Sequence, residues 1–228
     1  MRMITRTICA GLLAFLAVSA LAGERRIDAF RDGLDQWVVE MQPGGAVAAE
    51  NGVLRIDDAA GCTVWYKPRL EAPVVIRYEA RVRSDGRVSD LNCFWMATDP
   101  TGVDVPAARR DGKFASYDSL RTYYVGYGGN ENTTTRFRRY DGTGARPLDP
   151  SHDLRAPEYL LRPDHWYRIE LHVTADGRVR YVRDGETIFD FLDPAPLRTG
   201  WFGFRTVHSR IEARNFSVTA PEPPAAPR

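Results

Sequence analysis

The stretch HVTADGRVRYVRDGETIFDF (residues 172–191) decides the fold class, because two Asp-Gly pairs divide it into three short segments. Asp-Gly tolerates the positive φ of tight hairpin turns, so the stretch predicts three antiparallel strands joined by two turns. The same kind of turn signal recurs at Asp32-Gly33, Asn51-Gly52, Asp85-Gly86, Asp111-Gly112 and Asp141-Gly142. Hairpins in this number predict an antiparallel meander.

Two longer runs show the alternation that is typical of a strand with one buried face. In residues 74–82 and 166–173, apolar side chains alternate with mostly charged ones. The sequence has no heptad, no fixed repeat and no long helical pattern. More than a dozen strands without helices to cover them must bury their apolar faces against each other. The prediction is therefore an all-β fold, a two-sheet antiparallel β-sandwich or jelly roll.

The beginning of the chain has the features of a secretion signal. Arg2 and Arg6 precede or flank the apolar run of residues 8–18, and Ala20-Leu21-Ala22 offers a small-residue cleavage site. The run is too short to cross a hydrocarbon core of about 30 Å as an ordinary helix. We expect a signal peptide over residues 1–22, a secreted or periplasmic protein, and no membrane insertion after cleavage.

One β-sandwich domain is expected over residues 23–219, followed by a disordered, proline-rich tail over residues 220–228. Signal removal takes two of the 31 basic residues and none of the 30 acidic ones, which leaves a formal charge of −1. Nucleic acid is therefore not an expected partner, because its binders carry a strong basic excess. Arginine far outnumbers lysine, and its flat guanidinium suits carboxylates and aromatic rings, so an acidic ligand is compatible with this charge.

Two cysteines, Cys62 and Cys93, remain after signal removal. In an oxidising compartment they could form a disulfide, but two buried free thiols on neighbouring strands fit the sequence equally well. The four histidines have no metal-ligand spacing, and no cysteine pair has zinc spacing. No cofactor is expected to be required.

The stretch SLRTYYVGYGGNENTTTRFRRYDG (residues 119–142) is the candidate binding hairpin. Alternation places two sets of side chains on one face of each strand: Arg121, Tyr123, Val125 and Tyr127 on the first, and Thr134, Arg136, Arg138 and Tyr140 on the second. If these faces coincide, they form the aromatic and basic wall that a saccharide site needs. The alternative is that cross-strand Arg and Tyr pairs stabilise an exposed sheet.

Three glycines in this hairpin also allow two interpretations. Gly126, Gly128 and Gly129 would suit a ligand that passes close to the backbone, or a bulged turn around Asn130. The irregular segment of residues 99–117 precedes the hairpin and could form the wall of a cleft.

Other prominent residues have structural interpretations. Trp65 and Trp95 are expected in the core, since large aromatic residues dominate the cores of β-sandwiches. Glu79 and Glu170 each lie beside Arg or His on the polar face of a regular strand, so surface ion pairs are expected. The sequence contains no cluster with the two neighbouring carboxylates that a glycoside hydrolase requires.

Three segments carry a family resemblance: NCFWMATDP (residues 92–100), residues 117–148 and residues 189–218. In these segments the chain resembles the concanavalin-A-like lectin and glucanase superfamily, in particular its poorly characterised secreted bacterial members associated with polysaccharide degradation. The resemblance implies a jelly roll that binds carbohydrate across a concave sheet. It also allows a structural calcium ion, and it extends to hydrolases, lyases and non-catalytic binders alike.

The residue types favour β-elimination at a uronic acid, which needs a cation for the sugar carboxylate, a base and a proton donor. The predicted catalytic residues are Tyr123, His208 and Arg121. The predicted substrate-binding residues are Asn92, Tyr127, Arg136, Arg138, Trp201 and Arg205, of which Trp201 and Arg205 are expected to face away from the core side of Phe202 and Phe204. We therefore expect a polysaccharide lyase that acts on an acidic plant or algal polysaccharide or oligosaccharide. The alternatives are a non-catalytic carbohydrate-binding module and a two-carboxylate glycoside hydrolase.

Overall fold

The computed structural model describes residues 25–220. The predicted signal peptide and nearly all of the predicted tail lie outside this range. The strands are β1 (Arg25–Asp28), β2 (Trp37–Met41), β3 (Ala46–Glu50), β4 (Val53–Asp57), β5 (Cys62–Tyr66), β6 (Leu70–Glu71), β7 (Val74–Val82), β8 (Asn92–Thr98), β9 (Arg121–Gly128), β10 (Thr134–Asp141), β11 (Asp153–Leu154), β12 (Tyr167–Val173), β13 (Arg178–Arg183), β14 (Glu186–Leu192), β15 (Thr199–Thr206) and β16 (Arg210–Thr219).

Helical structure is confined to single turns in the described part of the chain. These turns are Val105–Ala107, Phe114–Tyr117, Gly129–Asn132, Pro150–His152 and Pro157–Tyr159. Within residues 25–220, no helix has the length and apolar character required to cross a membrane.

The strands form two antiparallel sheets. Sheet 1 has the order β14-β13-β12-β7-β16-β4-β3, with β1 also paired to β16. Sheet 2 has the order β11-β10-β9-β8-β15-β5-β2, with β6 also paired to β15. The predicted two-sheet antiparallel sandwich is confirmed, and residues 172–191 contribute to the three successive strands β12, β13 and β14.

The main core lies between the two sheets, because every second side chain of each strand points inward. Trp95, Phe202 and Phe204 from sheet 2 belong to this core. Ile76 and Ile169 from sheet 1 pack into the same cluster. The predictions that Trp95 is buried and that Phe202 and Phe204 face the core are confirmed.

The outer face of sheet 1 carries ion pairs between neighbouring strands. Arg214 donates two hydrogen bonds to one oxygen of Glu79, at 2.8 and 2.7 Å, and Arg77 Nε lies 2.9 Å from Glu170 Oε2. The predicted surface ion pairs of Glu79 and Glu170 are confirmed. Partly exposed pairs of this kind contribute about 0–1 kcal/mol each, so they cover the face more than they stabilise it.

The outer face of sheet 2 is partly covered by residues 99–117, which we call the insertion. A second hydrophobic cluster forms there from outward side chains of sheet 2 and from the insertion. Its larger members are Trp65, Phe94, Tyr124, Tyr140 and Trp201 from the sheet and Tyr117 from the insertion. Trp65 is fully buried, as predicted, but it lies in this cluster rather than between the sheets.

A buried carboxylate, that of Glu40 on β2, joins the insertion to the sheet. Glu40 accepts hydrogen bonds from Trp65 Nε1 at 2.8 Å, from the Tyr117 hydroxyl at 2.9 Å and from the Arg110 backbone N–H at 2.7 Å. Arg110 also forms an ion pair with Asp99 at the start of the insertion. Three donors thus satisfy a charge that would otherwise be costly to bury.

The two cysteines are free thiols, so the disulfide alternative is wrong. Cys62 on β5 pairs with Thr206, and Cys93 on β8 pairs with Phe204, both on β15. They therefore lie on either side of β15 rather than on neighbouring strands. Two strand spacings amount to about 9–10 Å, beyond the Cα separation of about 4.4–6.8 Å that a disulfide requires.

We predict that Glu40→Gln lowers the free energy of unfolding by about 1–3 kcal/mol, because an amide replaces a charged acceptor of three hydrogen bonds. Chemical denaturation followed by tryptophan fluorescence measures the change. The matched control is Glu50→Gln, whose exposed side chain forms an ion pair with Arg55 and should cost less than about 1 kcal/mol. Equal losses in the two variants would show that Glu40 does not hold the insertion.

Candidate functional site

The part of sheet 2 that the insertion leaves uncovered forms a cavity of about 350 Å³, which we call the sheet 2 cavity. Its floor contains Asn92 from β8, Tyr124 and Gly126 from β9, and Arg136 and Arg138 from β10. Residues from loops surround this floor, namely Phe114, Arg146, Arg87, Asp90, Gly129 and Asn130. Phe114 belongs to the insertion, which therefore does form a wall of the cavity.

The strand register determines which hairpin residues reach the cavity. Arg138 pairs with Tyr124, and Arg136 pairs with Gly126. Directly paired residues of antiparallel strands share a face, so both arginines lie with Tyr124 and not with Tyr123. The two faces that the sequence analysis combined do not coincide, and this corrects the predicted wall of tyrosines and arginines.

Tyr123 and Tyr127 lie on the inner face of sheet 2, within the main core. The Tyr123 hydroxyl donates to Asp193 Oδ2 at 2.7 Å and accepts from the Leu197 N–H at 2.9 Å. The Tyr127 hydroxyl accepts from Arg183 at 3.1 Å. The predicted catalytic role of Tyr123 and the predicted binding role of Tyr127 do not fit these positions, because the sheet itself separates both rings from the cavity.

Arg121 and His208 also lie apart from the residues that line the cavity. Arg121 is exposed at the start of β9, where its Nε lies 3.4 Å from the backbone oxygen of Asp141. His208 is exposed in the turn between β15 and β16, and its N–H donates to Asp58 Oδ2 at 3.0 Å. The structure therefore does not bring the predicted catalytic residues Tyr123, His208 and Arg121 together.

Trp201 and Arg205 face outward from sheet 2, as predicted, but neither is open to a ligand. Trp201 is 5% exposed, and its Nε1 donates to the Lys67 backbone oxygen at 3.1 Å. Arg205 is fully buried and donates to the Gly112 backbone oxygen at 2.5 Å. Gly112 belongs to the insertion, so the covering segment removes Arg205 from the surface.

Three arginines that line the cavity are paired with carboxylates. The pairs are Arg136 with Asp153 at 2.8 Å, Arg146 with Asp118 at 2.7 Å and Arg87 with Asp90 at 2.7 Å. Hydrogen bonds from Arg136 hold the pKa of Asp153 well below its usual range. These arginines and carboxylates therefore form fixed ion pairs around the cavity.

Arg138 differs from the other three arginines. Its guanidinium donates to the backbone oxygens of Arg146 at 2.5 Å and Pro147 at 3.1 Å. Within residues 25–220, no carboxylate lies within 4.0 Å of it. Arg138 therefore brings a positive charge into the cavity that no neighbouring acid neutralises.

The remaining polar groups of the floor are Asn92 and Tyr124. Asn92 donates through Nδ2 to Asp90 Oδ1 at 3.2 Å, while its buried Oδ1 has no hydrogen-bond partner in the described part of the chain. Burial raises the pKa of Tyr124 well above its ordinary value, so the hydroxyl is protonated at neutral pH. The floor thus combines a guanidinium, an amide and a neutral phenol.

The glycines of the hairpin are explained by local packing. A Cβ at Gly126 would lie 3.1 Å from the ring and the hydroxyl of Tyr124. Gly128 has φ +66°, and a Cβ there would lie 2.3 Å from Leu161 Cδ1. The next residues, Asn130 and Glu131, also have positive φ, so the hairpin ends in a strained turn. Of the two earlier interpretations, the structure supports the turn.

The sequence analysis did not identify several residues that line the cavity, among them Tyr124, Phe114, Arg87 and Arg146. Tyr124 is adjacent to the predicted Tyr123, and the register of β9 with β10 determines which of the two rings faces the cavity. Phe114 lies in the segment that was expected to wall a cleft, but no motif singled it out. Arg87 and Arg146 lie on separate loops, so nothing in the local sequence pattern indicates that they line the same cavity.

Comparisons with known proteins agree on the fold. A protein with a galectin-like fold from Bacillus subtilis is similar with a TM-score of 0.61 and 21% identity, over 82% of this chain and 90% of that one. The carbohydrate binding module CBM66 from Bacillus subtilis has a TM-score of 0.57 and 11% identity, over 81% and 96% of the two chains. A β-1,3-1,4-glucanase (lichenase) from a mouse hindgut metagenome has a TM-score of 0.54 and 13% identity, over 86% and 99%.

These likenesses show a galectin-like and concanavalin-like jelly-roll fold, in agreement with the fold that the resemblance implied. No curated protein matches the chain. A family model matches residues 56–216, most of the described domain, and the chain therefore belongs to the family described as "Domain of unknown function (DUF6250)".

Proposed function

We propose that the protein binds an acidic saccharide in the sheet 2 cavity and acts as a carbohydrate-binding module for acidic plant or algal polysaccharides. The observation that carries the proposal is the guanidinium of Arg138, which lines the cavity without a carboxylate partner among the described residues. A guanidinium matches the two oxygens of a carboxylate, and it is more weakly hydrated than an ammonium group. A uronic acid would supply that carboxylate.

The other groups of the cavity suit the neutral parts of a sugar. The Tyr124 hydroxyl and the Asn92 amide are planar polar groups that can pair with ring hydroxyls. Phe114 adds an apolar surface beside them. Two of the similar structures, a carbohydrate binding module and a glucanase, support a saccharide as the ligand class. A secreted or periplasmic location, proposed from residues 1–22, would place the protein where such polymers occur.

Hydrolysis by two carboxylates receives no support from the cavity. The mechanism needs an acid and a second carboxylate about 5–10 Å apart. Among the described residues that line the cavity, Asp90 carries the single carboxylate. Asp90 accepts hydrogen bonds from Arg87, Ser89 and Asn92, so it is also engaged.

Elimination at a uronic acid is the second candidate, and one observation favours it. The Tyr124 hydroxyl lines the same cavity as Arg138, so a neutral phenol could protonate the departing oxygen while the guanidinium stabilises the charge on the sugar carboxylate. The proton on the carbon next to the carboxylate would also need a base. Asp90 is the lining group of that type, but its oxygens already accept hydrogen bonds from Arg87, Ser89 and Asn92, so binding is the first proposal.

We predict that Arg138→Gln weakens binding of a uronic-acid oligosaccharide about tenfold to a hundredfold, because a charge-assisted hydrogen bond contributes about 1.5–3 kcal/mol. Isothermal titration calorimetry with oligogalacturonate and oligoalginate measures the change. Arg121→Gln is the matched control, since it removes the same charge from an exposed arginine of the same hairpin that does not line the cavity. If both variants bind as tightly as the wild type, Arg138 does not contact the sugar.

A second prediction compares two adjacent tyrosines on opposite faces of β9. Tyr123→Phe should lower the free energy of unfolding by about 1–3 kcal/mol, because buried Asp193 loses a hydrogen bond, and should leave sugar binding unchanged. Tyr124→Phe should keep near wild-type stability, since its hydroxyl lines the cavity and forms no hydrogen bond with another residue in the described part of the chain.

The same two variants also test for elimination, because a lyase would produce an unsaturated uronate that absorbs ultraviolet light. If the wild type produces this absorbance, Tyr124→Phe should abolish it and Tyr123→Phe should not. If the wild type binds the saccharide but produces neither this absorbance nor new reducing ends, the protein is a non-catalytic binding module. If Tyr123→Phe abolishes activity but keeps wild-type stability, the active site would lie on the inner face of sheet 2, and our assignment of the cavity would be wrong.

A further inference from the structure

The floor of the sheet 2 cavity has three rows, because the outward side chains of a strand are two residues apart. The first row contains Arg138 on β10 and Tyr124 on β9, which pair directly. The second row contains Arg136 and Gly126 of the same two strands. The third row contains Asp90, whose N–H donates to the last backbone oxygen of β9 at 3.2 Å. Four residues of β9 separate the first row from the third, which amounts to about 13 Å.

The first row holds the positive charge that has no carboxylate partner. Arg138 donates to the backbone oxygens of Arg146 and Pro147 through Nη1 alone. Its Nε and Nη2 groups form no hydrogen bond with any of residues 25–220, so two parallel donors remain. Arg146 itself is paired with Asp118 at 2.7 Å. A carboxylate matches two parallel N–H donors of a guanidinium, so the first row suits a uronate.

The second and third rows hold arginines that are already paired. Arg136 lies 2.8 Å from Asp153, and Arg87 lies 2.7 Å from Asp90. Arg155 shares Asp153, but its side chain is 67% exposed and does not line the cavity. Each cation that lines these two rows therefore has a carboxylate partner.

Uncharged polar groups lie among these pairs. Asn92 is 3% exposed, and its Oδ1 has no hydrogen-bond partner among the described residues. The Tyr124 hydroxyl lies over Gly126 of the second row, where a Cβ would meet it at 3.1 Å. The exposed Asn130 lines the cavity beside the third row. Amides and hydroxyls pair with sugar hydroxyls without any charge to balance, so these two rows suit a neutral sugar.

The geometry points to a mixed ligand: we propose that the cavity binds a uronic acid together with an adjacent neutral sugar. It therefore prefers acidic polysaccharides in which the two kinds of residue alternate to polymers with a carboxylate on every residue. This inference rests on the proposed function and adds the charge pattern of the ligand. A floor of about 13 Å is longer than one sugar ring, so a bound segment covers more than the first row.

Charge matching disfavours a second carboxylate in the bound segment. A carboxylate at Arg138 uses the unmatched cation of the floor. A second carboxylate, over the other rows, would meet arginines whose partners are already in place, and it would lie near the negative charge of Asp90. An anion that leaves water for a site without a free partner loses binding free energy, and a like charge nearby adds to the loss.

The test uses digalacturonate and dimannuronate, each compared with derivatives in which one or both carboxylates are reduced to a hydroxymethyl group. These ligands differ in charge but keep the same linkage and rings. For the uronic acid that the protein binds, one of the two singly reduced derivatives should bind about tenfold more tightly than the diuronate. The fully reduced derivative should lose binding, because Arg138 then has no carboxylate to pair with. Isothermal titration calorimetry at constant ionic strength measures the affinities.

The outcomes separate this inference from the proposed function. If a diuronate binds as tightly as both of its singly reduced derivatives, or more tightly, the inference is wrong and the proposed function stands. If no charged ligand of either set binds, or if the fully reduced ligands bind as tightly as the charged ones, the proposed function is refuted and the inference with it.

A variant that changes the charge match of the third row provides an independent test. Asp90→Asn leaves Arg87 without its carboxylate, so the ratio of the two affinities should shift about tenfold towards the diuronate. Asparagine tolerates the positive φ of 59° at this position, so the backbone is retained. The matched control is Asp190→Asn, which makes the same change of net charge at Arg178 and Arg180 on sheet 1 and should leave the ratio unchanged.

Thermal unfolding verifies that both variants are folded. A structural role of Asp90 alone would change both affinities by the same factor, so an unchanged ratio in the folded variant would contradict charge matching. An equal shift in the Asp190→Asn control would contradict it as well. If Asp90→Asn does not fold, the comparison of reduced and unreduced ligands on the wild type decides the inference by itself.

Discussion

The buried carboxylate of Glu40 is the interaction on which the architecture of the site depends. A sheet in a two-layer sandwich normally exposes its outer face, yet here that face carries Trp65, Phe94 and Trp201, which need cover. Glu40 accepts three hydrogen bonds that join β2, β5 and the insertion. The insertion turns part of an open sheet into a second core, and the uncovered part forms a cavity rather than a flat surface.

The two outer faces of the sandwich have different properties because their charges are arranged differently. On sheet 1, arginines and acidic residues from neighbouring strands are matched, as in the pair of Arg214 with Glu79. On sheet 2, Arg138 is directed to backbone oxygens, and no acidic side chain of residues 25–220 is paired with it. Backbone oxygens orient a guanidinium without neutralising it. A preoriented cation is what recognition of an anion requires, since less freedom is lost when the ligand binds.

Local patterns were sufficient to predict the strands and the sandwich, since alternation and Asp-Gly turns are encoded within a few residues. They identified both strands of the β9–β10 hairpin but not their register, and a change of one position exchanges Tyr123 for Tyr124 at the cavity. The burial of Trp201 and Arg205 was beyond prediction for another reason. The alternation of the strand correctly predicted that both side chains point outward. The insertion covers this face through contacts distant in sequence, such as that of Arg205 with Gly112.

The placement of the two cysteines has a consequence for production of the protein. Burial raises the pKa of Cys93 to about 12, and it also raises the pKa of Cys62, so neither forms the thiolate that reacts with oxidants. With β15 between them, they cannot combine even when air or an oxidoreductase is present. The native state of residues 25–220 therefore needs no disulfide, and the same fold should be obtained from a reducing cytoplasm or from an oxidising export route.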